Sequence, residues 1–176
     1  MREALDQYSD IKSSDSGMYF HHCTYNQIKQ NIVDHEKYFI FSFVRNPWDR
    51  VVSTWKYRLN FLKTGPRDHP FTQFCKNNID SDFNVFVKSK NIMKPPPCYN
   101  WVYDEHDQPI DYIGKMESLQ SDFDTISIML NLNKQQLPWL NKTDHLQYHD
   151  YYDDDSKTIV EDLYSKDIHT FSYKFY

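Results

Sequence analysis

The stretch Tyr38 to Leu62, YFIFSFVRNPWDRVVSTWKYRLNFL, leaves its segment of chain little choice of local structure. Tyr38 to Val44 is an apolar run rich in aromatic and β-branched residues, broken only by Ser42, and its length suits a buried strand. Asn46-Pro47 ends that run, because proline donates no ladder hydrogen bond but fits the first turn of a helix. Trp48, Val51, Val52, Trp55, Leu59 and Leu62 then recur at helical spacing and form one apolar stripe. The pattern predicts a strand–turn–helix unit, with Arg45 at the strand's carboxyl end and Asn46 placed to cap the helix. Open α/β sheets bind ligands at the carboxyl ends of strands, and helix amino-termini attract phosphates. Arg45 brings a planar fork of donors to that spot, and Ser53 lies off the apolar stripe with a hydroxyl to offer. The unit therefore predicts a phosphate site. Spacing alone leaves open the plainer role of Arg45 as a surface ion-pair partner.

The remaining sequence bounds the class of protein. A chain of 176 residues suits a single domain spanning 1–176, and 39% hydrophobic with 17% aromatic residues fits a globular core. A net charge of −5 disfavours nucleic acid as a partner, so a polyanion would need a local basic patch. Arg45, Arg50, Arg58 and Arg67 crowd into one segment and could supply it. A solvated helix face explains Arg50 and Arg58 equally well. Cys23, Cys75 and Cys98 are odd in number and widely spaced, which gives no disulfide framework and favours a reducing compartment. No apolar run reaches the ~18 residues of a membrane span, and Met1-Arg2-Glu3 opens no signal peptide. A soluble, cytoplasmic protein is expected.

Thr24-x-x-Gln27 has the form of a capping box and predicts a helix from about Tyr25 to Val33. Two short helices are expected around Phe71–Cys75 and Phe83–Val87, then an extended loop at Lys94-Pro95-Pro96-Pro97. Tyr112 to Met116 reads as a short strand, and Leu119, Phe123, Ile126 and Leu130 mark a helix from about Ser118 to Asn131. Asp153-Asp154-Asp155 puts negative charge where a helix amino-terminus is stabilised by it. Ile159, Val160, Leu163, Ile168 and Phe171 predict the buried face of the last helix. His145 and His149 stand four apart, a spacing that two metal ligands on a helix would share, but no Cys or carboxylate accompanies them at ligand spacing. Trp101, after the polyproline loop, is a candidate aromatic contact for a substrate.

Phe43-Val44-Arg45-Asn46-Pro47-Trp48-Asp49-Arg50 with Val51-Val52-Ser53 resembles the 3′-phosphate motif of the family 2 carbohydrate sulfotransferases. Tyr112-Ile113-Gly114-Lys115-Met116-Glu117-Ser118-Leu119 with Asp122-Phe123 is similar to that family's second strand–helix block. Tyr151-Tyr152-Asp153-Asp154 and the segment to Phe175 resemble its carboxyl-terminal helix. The resemblance implies an α/β fold, a parallel sheet flanked by helices in a P-loop-kinase-like sulfotransferase domain. It implies 3′-phosphoadenosine 5′-phosphosulfate (PAPS) as the sulfate donor, no metal, and a carbohydrate or other hydroxyl acceptor. Arg45 and Ser53 would hold the donor's 3′-phosphate. His22, in His21-His22-Cys23-Thr24, would be the catalytic base, and His145 would lie near the donor.

One part of the family pattern is missing from the sequence. The family cradles the 5′-phosphosulfate with a Pro-Lys loop between its first strand and helix, and no such loop is found here; Gly17, Gly65 and Gly114 are each isolated. Gly114-Lys115 is not a Walker loop either, having neither the upstream glycine nor the following Ser or Thr, which argues against a nucleotide kinase. The expectation is a domain without its first strand–loop–helix unit, in a chain that starts inside the domain. If an anchor lay upstream, the Golgi lumen would replace the cytoplasm as its place. A catalytically silent module that binds a 3′-phosphonucleotide or a glycan through the same fold is the alternative.

Overall fold

The computed structural model describes residues 23–89, 95–138 and 146–176, and they divide between two compact units. The first comprises Met1–Val44 and Cys98–Leu140, the second Arg45–Pro97 and Asn141–Tyr176.

In the first unit, helix α1 (Tyr25–Asn31) opens with the expected capping box: Thr24 Oγ1 accepts from the Gln27 amide while the Gln27 side chain accepts from the Thr24 amide. Strand β1 (Phe41–Val44) is shorter than the apolar run that predicted it; residues 35–37 form a 3-10 turn before it. A short helix α5 (Tyr99–Val102) precedes β2 (Tyr112–Lys115), and helix α6 (Leu119–Met129) comes after a 3-10 turn at Met116–Ser118. β1 and β2 pair in parallel, Phe41 opposite Tyr112 and Val44 opposite Lys115, and are the two strands found among the described residues. The α/β class with a small parallel sheet and helices around it is therefore present. Residues 1–22 lie outside the described residues, and the expected loss of a first strand–loop–helix unit falls on them.

Two carboxylates hold this unit's turns. Asp122 accepts from the Lys115 amide at 2.6 Å, Ser118 Oγ at 2.7 Å and Tyr112 Oη at 3.2 Å, fixing α6 to the end of β2. Burial would raise its pKa, but these donors outweigh burial and hold it below the ordinary carboxylate value. Gly114 is required here: a Cβ would stand 2.6 Å from the Phe43 ring and 3.1 Å from Asp122 Cβ. Asp104 takes Lys29 Nζ on one oxygen at 2.7 Å and the amides of His106 and Gln108 on the other. The Lys29 ammonium and the Gln108 amide hold its pKa at about 2.

The second unit is helical. Helix α2 (Pro47–Thr64) is its longest element, and α3 (Pro70–Asn78) and α4 (Phe83–Lys88) come next. A 3-10 turn at Tyr148–Tyr151 leads to α7 (Asp154–Leu163) and α8 (Ser165–Phe171). Trp48, Val51, Val52 and Trp55 are buried as the stripe predicts. Arg58 extends that stripe. Expected as readily on a solvated face as in a basic patch, it is only 7% exposed, with its guanidinium 5.7 Å from the centre of the Phe74 ring on α3. Its long aliphatic stem and flat head pack on apolar surface where a shorter cation could not.

The carboxyl-terminal region differs from its periodicity. Leu163 is 42% exposed, and the buried position passes to Tyr164, where α7 ends and α8 begins in a new direction. Tyr164 Oη donates to the Pro95 carbonyl at 2.6 Å and Arg50 Nη1 to the Pro96 carbonyl at 2.7 Å, pinning the extended proline segment at both residues. Asp153 caps α7 through the Ser156 amide, and Lys88 bonds its other oxygen. That ammonium holds the Asp153 pKa at about 2. After α8 the chain returns to the start of α2. Phe175 stands edge-on to Trp48 at 5.4 Å, Tyr148 at 5.5 Å and Tyr152 at 5.6 Å, with Lys157 Nζ over its ring.

Both the aromatic cluster and the paired carboxylates bear on stability. Phe175→Ala removes the ring that closes the cluster and costs about 2–4 kcal/mol in denaturant unfolding. Asp104 and Asp153 have folded pKa values near 2 against 3.8 for an ordinary carboxylate, so their contribution is complete above about pH 4 and is lost as pH falls through about 2. The melting temperature should therefore decline below pH 4, and Asp104→Asn should flatten that decline.

Candidate functional site

The site begins at a corner made by one residue. Asn46 is the N-cap of α2, and its Oδ1 accepts from the Trp48 amide at 3.0 Å and the Asp49 amide at 3.3 Å. Pro47 has no amide proton, and the Arg50 amide bonds the Asn46 carbonyl at 2.9 Å. Of the first-turn amides, those of Trp48 and Asp49 are thus committed to the cap, and Pro47 has none to give. An anion at the start of α2 would therefore draw mainly on side chains and on the helix dipole.

Arg45 supplies such a side chain. Its Nε donates to Asp49 Oδ2 at 2.6 Å, with the two side chains 27% and 21% exposed. The guanidinium is therefore laid along the first turn of α2, and the ion-pair role that the sequence left open is real but internal. Among the described residues, Nη1 and Nη2 of Arg45 donate to no protein acceptor. Ser53 is part-buried on the same helix, four residues beyond Asp49. Side chains at that spacing share one face about 5–6 Å apart at Cβ, so the guanidinium, Asp49 and Ser53 lie along one edge of α2.

Arg50, on the adjacent face, has Nη1 committed to the Pro96 carbonyl. Its charge remains near the start of α2, with fewer donors to give. Tyr152 donates its hydroxyl to the Trp48 carbonyl at 2.9 Å, and burial pushes its pKa up, so it stays a proton-bearing donor at any ordinary pH. The opening turns of α2 are thereby fixed at their caps and at a carbonyl.

Of the remaining candidates, His22 and His145 lie outside the described residues. His149 is on the 3-10 turn, its Nε2 3.3 Å from Asp150 Oδ1. Trp101 is half-buried on α5. Among the described residues no group of His, Cys, Asp and Glu could hold a metal ion, and no helix is long and apolar enough to cross a membrane. Sequence reasoning missed Asp49. Its signal was available: an acidic residue four positions after a basic one at a helix start.

A protein of Archaeoglobus fulgidus described as uncharacterized is 29% identical over 109 residues, covering 55% of this chain and 69% of the relative. No solved structure matches the chain. The model of the sulfotransferase family matches residues 6–174, nearly the whole length, and the chain belongs to that family.

Proposed function

We propose that this protein is a PAPS-dependent sulfotransferase, in one sulfotransferase domain, that transfers sulfate to a hydroxyl of a carbohydrate. One observation carries the reading. A guanidinium is held against the first turn of α2, with a serine hydroxyl one turn further along the same edge. Nη1 and Nη2 of Arg45 offer parallel donors to two oxygens of a phosphate, and the Ser53 hydroxyl, a group that can donate and accept at once, stands one turn further along the helix to meet a third. That donor set fits the 3′-phosphate of PAPS. With the Trp48 and Asp49 amides committed to Asn46, the selectivity would rest on these side chains.

PAPS supplies an activated sulfuryl group on its 5′-phosphate. The chain's task is to hold the nucleotide so that an acceptor oxygen lies in line with the bond to be broken. The S–O bond to the acceptor forms as the S–O bond to the 5′-phosphate breaks, releasing adenosine 3′,5′-bisphosphate. His22 is the proposed base that takes the acceptor's hydroxyl proton. No metal is needed for this chemistry. The competing reading, a silent module that keeps only the nucleotide or glycan site, is favoured by the absence of a Pro-Lys loop from the sequence.

Calorimetric titration with adenosine 3′,5′-bisphosphate tests the site. Arg45→Ala should weaken binding about a hundredfold and Ser53→Ala about tenfold, both in chains that still unfold cooperatively. Equal affinity of Arg45→Ala and the wild type would overturn the site. Transfer of radiolabelled sulfate from PAPS to a mixture of glycans tests the activity. Turnover that is lost in His22→Ala supports the transferase with its base. Nucleotide binding without any transfer by the wild type identifies the silent module.

A further inference from the structure

We propose that Asp49 is a positioning residue for the bound phosphate: by engaging Nε of Arg45, it turns the guanidinium so that Nη1 and Nη2 meet the dianion end-on. The inference rests on the phosphate-site reading above and deepens it. A guanidinium has two edges that can grip a phosphate through paired donors, one formed by Nη1 and Nη2 and one that includes Nε. The 2.6 Å bond to Asp49 Oδ2 occupies Nε and leaves the first edge. Asp49 is itself well fixed, since its amide is bonded to Asn46 Oδ1 in the first turn of α2. A flexible four-torsion side chain is thus restrained before the ligand arrives, which removes part of the ordering cost of binding.

Two plainer roles compete with this one. A first-turn carboxylate stabilises the helix dipole wherever its oxygens point. A carboxylate one turn from Ser53 also repels an arriving dianion. Neutralising Asp49 separates the three roles. Loss of a dipole partner lowers thermal stability and leaves affinity unchanged. Loss of a repelling charge strengthens binding. Loss of a positioning partner weakens binding, and only of ligands that engage Arg45.

The test is a calorimetric series on the full chain with adenosine 3′,5′-bisphosphate and with adenosine 5′-monophosphate, which lacks the 3′-phosphate. Asp49→Asn should weaken the bisphosphate about tenfold, the loss of a hydrogen bond to a charged group, and leave the monophosphate unchanged. In an Arg45→Ala background the same substitution should add nothing, because the partner through which it acts is gone. Asp49→Glu, which keeps a carboxylate within reach of Nε, should recover most of the affinity. Unchanged or tighter binding by Asp49→Asn overturns the proposal, and so does an equal loss with and without Arg45. If the wild type fails to distinguish the two nucleotides and Arg45→Ala has no effect, the phosphate site itself has failed, and the role of Asp49 fails with it.

Discussion

The two ends of the Asn46 side-chain amide decide where the rest of this site can be. Oδ1 accepts the Trp48 and Asp49 amides and so fixes the first turn of α2. Nδ2 donates to the Lys174 carbonyl at 3.2 Å, tying the carboxyl-terminal segment to the same corner. Asn46 is only 8% exposed, so its polar groups would be costly if any of these partners were missing. Arg45 precedes it by one residue, and its backbone origin is fixed by the same set of bonds. Phe175, brought in by that tail, covers Trp48 on the apolar side. A segment far downstream in the chain therefore participates in holding the helix start.

A helix start capped in this way has a consequence for recognition. Helix ends that bind anions through backbone amides are tolerant, since any small oxyanion fits a ring of N–H groups. Here the Trp48 and Asp49 amides bond to the Asn46 side chain, and the proposed phosphate site is made of side chains, the Arg45 guanidinium and the Ser53 hydroxyl. Such a set would discriminate by the geometry of the anion more than by its charge. A cap of Gly in place of Asn46 would have left those amides open and made a different kind of site.

Sequence revealed the local units because each carries its own signal. The Thr24–Gln27 box, the Asn46-Pro47 corner and the recurrence of Trp48, Val51, Val52 and Trp55 involve neighbours within four residues, and each became the structure it implied. What it missed depends on partners distant in the chain. Arg58 is buried because α3 brings Phe74 beneath it, and nothing near Arg58 announces that. Leu163 is exposed because α7 stops at Tyr164, whose hydroxyl is drawn to the Pro95 carbonyl. The Tyr38–Val44 run gave four residues of strand, since a β-ladder exists only where a partner strand lies opposite, and β2 is itself four residues long. In the candidate site, the types and spacing of Arg45 and Ser53 were legible. The pairing of Arg45 with Asp49 was not read, because which carboxylate a long side chain meets is known only once its torsions are seen.

The overall charge poses a question that the local arrangement answers. A chain with a net charge of −5 is a poor long-range attractor for a multiply charged nucleotide. At physiological salt, however, exposed charges farther than about 8 Å are largely screened, so the balance that matters is the one within a turn or two of Ser53. Along that stretch of chain Arg45, Arg50, Lys56 and Arg58 outnumber the single carboxylate of Asp49, a local positive excess. Part of the attraction of Arg45 is already satisfied by Asp49, which limits how strongly any stray anion is held. Affinity must then come from hydrogen bonds with correct direction, which are made in full only by a group that reaches both the guanidinium and the hydroxyl. If the proposed site holds a phosphate, an acidic protein would in this way bind one particular phosphate without becoming a general polyanion binder.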